Sequence, residues 1–133
     1  MSTELTLLAW CLVLAVVQVL MPSILRIQET GPEYNASPRD VPSPKPEGVV
    51  TGRLRRAQAN LFETLPLFGL ALLIAHAGGK EGDLTLYGAW LYLVSRIVYV
   101  PLYATGIPYI RTLVWFASLG GLGMVLYAIL TPY

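Results

Sequence analysis

Residues 53–66 read RLRRAQANLFETLP and lead from a basic segment into an apolar run that ends near Ala77. At about 100° per residue, Arg53, Arg56, Asn60 and Glu63 fall on one helical stripe. A carboxylate inside a membrane-like segment costs roughly 2.5–3.5 kcal/mol unless it is paired. The stripe therefore indicates a site for a polar ligand. The alternative is an internal ion pair that only fixes helix packing.

The composition is that of a membrane protein. The 133 residues are 55% hydrophobic and 13% charged, and the mean hydropathy is +0.59. The charges are clumped, and the net charge of +1 identifies no partner. The arginines lie beside apolar runs rather than on one basic face, which argues against a nucleic-acid partner. The start of the chain lacks a basic segment and a small-residue cleavage site, so we expect a mature transmembrane segment there.

Four apolar runs are each long enough to cross a bilayer core, which needs about 20 helical residues. We predict an all-α, polytopic, four-helix membrane bundle in a single domain spanning residues 1–133. Its helices are expected at about residues 4–27, 52–77, 84–104 and 110–131. Short links make the last three helices antiparallel neighbours. Pro22 and Pro66 are expected to kink their helices, and Pro101 to shape the exit from the third.

The first connection, residues 28–51, is long and polar and predicts an irregular surface loop. It contains a glycosylation sequon at Asn35 and five prolines: Pro32, Pro38, Pro42, Pro44 and Pro46. Basic residues near helix ends collect on the loop side of the bundle: Arg26, Arg39, Lys45, Arg53, Arg55, Arg56 and Arg111. The positive-inside rule then predicts a cytoplasmic loop and both termini on the opposite side, where the sequon enzymes cannot reach Asn35. Trp10, Trp90 and Trp115 are interpreted as lipid-interface anchors.

The third helix carries a second polar stripe. Tyr92, Arg96, Tyr99 and Tyr103 are spaced four, three and four residues apart and share one face. Arg96 lies well inside the span and needs a partner, so we predict a contact with Glu63 on the adjacent helix. A tyrosine stripe alone is typical of packing; beside a buried arginine it favours a site.

Arg111 follows at the start of the fourth helix, where the helix N-terminus also favours an anion. The alternative for Arg111 is a snorkelling interface residue.

Other conspicuous residues indicate packing rather than chemistry. Gly120, Gly121 and Gly123 lie mid-span with no phosphate-loop lysine after them, and Ala117 and Gly121 form a small-residue pair suited to close helix contact. His76 has no second ligand in reach, so no metal site is expected. Cys11 is the only cysteine and is expected to be buried.

Two motifs resemble a known family. Residues 56–66, RAQANLFETLP, are similar to the signature of the membrane-associated proteins in eicosanoid and glutathione metabolism. Arg96, Tyr99 and Tyr103 on the third helix are also similar to that family. The resemblance covers essentially the whole chain. It departs at Thr64, where the leukotriene-synthesising members carry a tyrosine, and this disfavours an eicosanoid-specific activity.

The resemblance implies a homotrimer that binds glutathione between subunits near the cytoplasmic side, together with membrane lipid and an apolar second substrate. Arg111 would then activate the thiol. The residues that the resemblance or the stripes assign to glutathione are Arg26, Arg53, Arg56, Gln58, Asn60, Glu63, Arg96, Tyr99 and Tyr103.

The residue chemistry independently suits this ligand. Glutathione has two carboxylates, which arginines bind through bidentate pairs, and one ammonium, which suits Glu63. We therefore expect a glutathione transferase or peroxidase acting on apolar electrophiles or lipid hydroperoxides. One alternative is a non-catalytic membrane protein of the same fold that binds lipid or presents a partner. Another is a small four-helix exporter, which predicts a coupled carboxylate in the first helix, where only Glu4 is present.

Overall fold

The structure is a computed structural model that describes residues 1–42 and 45–132. All regular elements in these residues are α-helices, four long and one short. They are α1 (Thr3–Thr30), α2 (Pro32–Ala36), α3 (Val49–Ala77), α4 (Asp83–Ala104) and α5 (Pro108–Leu130). Pro44 of the predicted loop lies outside the described residues.

Three of these helices, α1, α3 and α5, are long and apolar enough to cross a membrane. Among the described helices, α4 has the length but not the hydropathy, because it carries Arg96 and several tyrosines. Pro22 and Pro66 lie inside α1 and α3, and both helices continue through them. Pro101 is also internal, one turn before α4 ends.

The loop after α1 is not wholly irregular, which corrects the sequence prediction. Gly31 takes a positive φ of 87° and ends α1, and Pro32 occupies the first position of α2. Proline suits this position because its missing N–H has no helical partner there. The Pro32 signal was present in the sequence, and the loop interpretation overlooked it.

The tightest packing joins α4 and α5. A Cβ on Gly121 would lie 2.5 Å from the Gly88 carbonyl oxygen, and a Cβ on Gly88 would lie 2.7 Å from the Gly121 carbonyl oxygen. Only glycines allow two backbones this close. Gly123, in contrast, faces open space. Of the three glycines in the predicted packing set, Gly121 therefore makes the close contact, and its partner Gly88 was not predicted.

The core lies between α1, α3, α4 and α5. Phe68 stacks on Tyr92 with ring centroids 3.9 Å apart, and the Tyr92 hydroxyl forms a 2.8 Å hydrogen bond with Thr64 Oγ1. Both polar groups are thus satisfied in the interior. Cys11 is also fully buried here.

At the end of the bundle away from the long loop, polar groups form hydrogen bonds and an ion pair within the chain. Ser2 Oγ donates to Glu81 at 2.6 Å, and His76 Nδ1 lies 3.0 Å from the same carboxylate. The Ser2 hydrogen bond is the main reason that the pKa of Glu81 lies below its usual range. Lys80 donates to the Thr131 carbonyl oxygen at 2.7 Å. We call this group, Ser2, His76, Lys80 and Glu81, the turn-end cluster.

Candidate functional site

A cavity of about 410 Å³ opens between α3, α4 and α5 near the long-loop end of the bundle. This volume lies within the roughly 300–1,000 Å³ typical of ligand pockets. Its lining residues are Arg56, Ala59, Asn60, Glu63, Tyr99, Tyr103, Arg111, Thr112 and Trp115. We call it the loop-end cavity.

Helix α3 supplies one wall of the cavity through Arg56, Asn60 and Glu63. These residues are four and three positions apart, so a straight helix presents them on one face. The Asn60 Oδ1 atom is buried and has no hydrogen-bond partner. A buried polar atom without a partner costs about 1–3 kcal/mol, so this oxygen is well suited to accept a hydrogen bond from a ligand.

The opposite wall is aromatic and basic. Tyr99 and Tyr103 meet edge to face with centroids 5.6 Å apart. The Arg111 guanidinium carbon lies 4.5 Å from the centre of the Tyr103 ring, and that of Arg56 lies 5.9 Å from it. Both cations thus lie within about 6 Å of the Tyr103 ring, where cation–π attraction favours their position at the cavity.

The charges at this cavity are not neutralised within the chain. The ion pairs among the described residues are Arg26–Glu29, Arg55–Glu47 and His76–Glu81. None of them involves Arg56, Arg111 or Glu63. Two cations and one anion therefore border a polar cavity without a protein counter-ion. Such an arrangement suits a ligand that carries both carboxylate and ammonium groups.

Three lining residues were missed by the sequence interpretation of the site: Ala59, Thr112 and Trp115. Thr112 and Trp115 follow Arg111 by one and four residues on α5. The Trp115 Nε1 atom is buried without a partner, which corrects its interpretation as a lipid-interface anchor. The spacing of Arg111 and Trp115, one helical turn, was the available signal. Trp10 and Trp90 are 58% and 48% exposed, as interface anchors would be.

The predicted contact between Glu63 and Arg96 is wrong. Arg96 is fully buried, and no carboxylate lies within ion-pair distance of it among the described residues. Its guanidinium carbon instead lies 4.5 Å from the centre of the Tyr99 ring, and its three side-chain nitrogens have no hydrogen-bond partner. Glu63 faces the cavity, whereas Arg96 lies behind Tyr99, and the aromatic ring takes the place of the expected carboxylate.

Three other candidate residues lie outside the cavity wall. Arg53 donates to the Ala104 carbonyl oxygen at 3.2 Å and packs under Gly106 in the link between α4 and α5. Gln58 is half-buried and two residues from Asn60, so it lies on the other side of α3. Arg26 pairs with Glu29 at 3.0 Å. The assignment of these three, and of Arg96, to glutathione stays a prediction.

The expectation of no metal site stays a prediction. No group of three histidine, cysteine or acidic side chains converges within the described residues. His76 belongs to the turn-end cluster, and Cys11 and Tyr92 belong to the core. The chemistry available at the cavity is therefore that of guanidinium, carboxylate, amide, indole and phenol groups.

Comparison with known proteins gives the family. No curated protein matches the chain significantly. The model of the MAPEG family matches residues 7–131, nearly the whole chain. With its three apolar helices, the chain is an integral membrane protein that belongs to the MAPEG family, and this membership supports, at family level, a membrane function in glutathione or eicosanoid metabolism.

Proposed function

We propose that this protein is a membrane-bound glutathione transferase, with glutathione peroxidase activity toward lipid hydroperoxides. The observation that carries the proposal is the loop-end cavity, in which Arg56, Arg111 and Glu63 lack protein counter-ions. The alternative is that these charged side chains only face water at one end of the bundle. Against this, Asn60 and Trp115 hold buried unpartnered atoms at the same cavity.

Glutathione matches this set of groups. One of its carboxylates suits the guanidinium of Arg56, which binds a carboxylate through paired N–H groups. Its ammonium suits Glu63, and its amide N–H groups suit the Asn60 oxygen. The carboxylate and the ammonium of the peptide therefore each have an oppositely charged partner on α3.

Once glutathione is bound, its thiol must be activated. A thiol pKa of about 8.5 leaves the thiol mostly protonated at neutral pH. Lowering it by two units requires about 2.7 kcal/mol of differential stabilisation of the thiolate. Arg111 lies in the first turn of α5, where the positive end of the helix dipole adds to its charge. We assign thiolate stabilisation to Arg111.

The chemistry then differs between the two substrate classes. With an electrophile, the thiolate sulfur bonds to the electrophilic carbon and the leaving group departs with its electron pair. With a hydroperoxide, the sulfur attacks the terminal oxygen, the O–O bond breaks, and the alkoxide leaves and takes a proton from solvent to give the alcohol. A second glutathione then reduces the resulting sulfenic acid, giving glutathione disulfide and water. The thiol proton passes to solvent in both cases.

We further propose a homotrimer with α4 as a fourth span, the long loop in the cytoplasm and both termini opposite. The 22 residues of α4 match the roughly 20 that a span needs. Arg56 and Glu63 are exposed in the single chain, so a neighbouring subunit packed here would close the cavity. Gln58 on the other side of α3 would then face another subunit, consistent with glutathione bound between copies.

A non-catalytic role deserves a separate test, because the MAPEG family also includes non-catalytic members. The experiment is a glutathione titration of the detergent-purified protein that follows thiolate absorbance, together with conjugation and peroxidase assays. We expect a thiolate signal and turnover with an apolar electrophile. Binding without a thiolate signal or turnover would favour the lipid-binding alternative. Proton-coupled uptake into vesicles without turnover would favour an exporter.

A further inference from the structure

Arg96 is a buried cation that has no partner in the interior of the bundle. Its side chain is fully buried, and its three side-chain nitrogens have no hydrogen-bond partner among the described residues. A guanidinium stays protonated in proteins, so burial does not remove its charge. Taking a charge out of water without pairing it is strongly destabilising. A chain that keeps such a group loses stability by it, which indicates a use beyond packing.

The surroundings of Arg96 supply no counter-ion. The titratable groups that act on it are Tyr92 and Tyr99 on its own helix, Cys11 on α1 and Glu63 on α3. Glu63 is the one carboxylate among these four, and no ion pair joins it to Arg96 in the described part of the chain. Because Arg96 has no exposed surface in the single chain, neither a lipid nor a neighbouring subunit reaches it. Its charge is therefore uncompensated.

One aromatic ring lies between this charge and the loop-end cavity. The guanidinium carbon of Arg96 lies 4.5 Å from the centre of the Tyr99 ring, and Tyr99 lines the cavity. Tyr99 meets Tyr103 edge to face, and the centre of the Tyr103 ring in turn lies 4.5 Å from the guanidinium carbon of Arg111. Buried charges are screened far less than charges in water. The charge of Arg96 therefore acts on a ligand in the cavity although the side chain does not line it.

The charge of the ligand indicates the use of this extra cation. Glutathione carries two carboxylates and one ammonium, so its net charge is one negative with the thiol protonated and two negative as the thiolate. The charged residues that line the cavity, Arg56, Arg111 and Glu63, together supply a single positive charge. They balance the thiol form and leave the thiolate form one positive charge short. Arg96 supplies that charge.

We propose that Arg96 is a positioning residue for the thiolate of glutathione. It acts through Tyr99, because the cation–π contact fixes the ring at the cavity wall and the uncompensated charge stabilises the thiolate from behind it. The thiolate in turn partly compensates the buried guanidinium. The inference rests on the proposed function, because it concerns the thiol of bound glutathione. It divides the stabilisation of the thiolate between Arg111 in the cavity and Arg96 behind its wall.

The test measures the thiol pKa of glutathione bound to the full-length protein in detergent, by thiolate absorbance across a pH series. A unit charge one ring away shifts a pKa by on the order of one unit. Arg96→Met should therefore raise the pKa of the bound thiol by about one unit, which lowers turnover with a model electrophile about tenfold below that pKa. Turnover should recover at higher pH, where the thiolate forms without this cation. The titratable side chains that line the cavity, Glu63, Tyr99 and Tyr103, are the same in both proteins.

Two further variants serve as comparisons. Arg96→Lys keeps the charge and should retain a thiol pKa close to that of the wild type. Lys80→Met removes one charge in the turn-end cluster, outside the cavity, and should leave the thiol pKa unchanged. A thiol pKa as high in Arg96→Lys as in Arg96→Met would assign the effect to the ring contact rather than to the charge, and would overturn the proposal.

Thermal unfolding separates this role from a purely structural one. An apolar side chain in place of a buried charge is often stabilising, so Arg96→Met should have a Tm at least as high as the wild type, together with the raised thiol pKa. A lower Tm with an unchanged thiol pKa would assign Arg96 to packing alone. If the wild type itself gave no thiolate absorbance, the proposed function would fail as well. A wild-type signal with an unchanged thiol pKa in Arg96→Met would overturn this inference alone.

Discussion

The turn-end cluster and the loop-end cavity differ in whether their charged groups have partners within the chain. In the turn-end cluster, Ser2, His76 and Lys80 each have a protein partner, and Glu81 accepts from two of them. At the loop-end cavity, Arg56, Arg111 and Glu63 have no ion-pair partner within the described residues. Polar groups that have protein partners stabilise a fold, whereas unpaired groups around a cavity are available to a ligand. The same residue types thus indicate structure at one end and binding at the other.

The largest expected effect comes from Arg111. Arg111→Ala removes the cation assigned to the thiolate, so turnover with a model electrophile should fall about 10²–10³-fold, as for loss of one oxyanion donor. Glutathione should still bind, because Arg56, Asn60 and Glu63 remain. Steady-state kinetics and a glutathione titration measure the two quantities. Lys80→Ala is the control at the turn end, and wild-type turnover in Arg111→Ala would refute the assigned role.

The second-largest effect is expected on the binding of glutathione by α3. Glu63→Gln removes the carboxylate assigned to the glutathione ammonium, and a hydrogen bond to a charged group is worth about 1.5–3 kcal/mol. The dissociation constant for glutathione should therefore rise roughly 10–150-fold. Asn60→Leu should raise it less. Calorimetric titration of detergent-solubilised protein measures both values. An unchanged dissociation constant in Glu63→Gln would mean that Glu63 only faces water and does not bind glutathione.

A third effect tests the packing that positions Arg111. Gly121→Ala places a Cβ against the Gly88 carbonyl oxygen, and overpacking of this kind costs about 1–3 kcal/mol. We expect a lower Tm together with reduced turnover, because α5 carries Arg111 and Trp115. Gly123→Ala, where the added methyl meets open space, is the matched control. Equal behaviour of the two variants would contradict the close helix contact.

The smallest effect belongs to the turn end. Ser2→Ala removes the hydrogen bond to Glu81 and the N-cap bond to the Leu5 N–H, and loss of a cap costs about 1 kcal/mol. Because the pKa of Glu81 is lowered in the folded state, its stabilising contribution is present above the ordinary glutamate pKa and is lost as the pH falls through the folded value. The Tm difference between variant and wild type should accordingly shrink in acid. A pH-independent difference would assign the whole effect to the helix cap.

The sequence predicted which site residues share a face of one helix better than it predicted the contacts between helices. Helical periodicity alone grouped Arg53, Arg56, Asn60 and Glu63. The structure sets the last three around one cavity with Tyr99, Tyr103 and Arg111, whereas Arg53 binds the Ala104 carbonyl oxygen. Periodicity fixes the face of a residue on its own helix but not its neighbour across helices. The Glu63–Arg96 prediction failed for this reason, since the Tyr99 ring, one turn along α4, meets the guanidinium first.

Other features needed three-dimensional information of different kinds. The Gly88–Gly121 approach depends on the register between α4 and α5, which no single-helix pattern specifies. Hydropathy alone does not identify α4 as a membrane span, because it scores Arg96 and the tyrosines as polar although Arg96, Tyr92 and Tyr99 are buried. The place of α2 against the end of α1 depends on the turn at Gly31, which an irregular-loop prediction could not supply.

Arg53, near the start of α3, contacts the link between α4 and α5. Its guanidinium donates to the carbonyl oxygen that ends α4 and packs under Gly106, whose φ of 78° lets the chain reverse into α5. The start of α3 and the start of α5 are thereby tied to one corner. Because Arg111 follows Gly106 by five residues, a substitution of Arg53 should alter the position of Arg111 although Arg53 does not line the loop-end cavity.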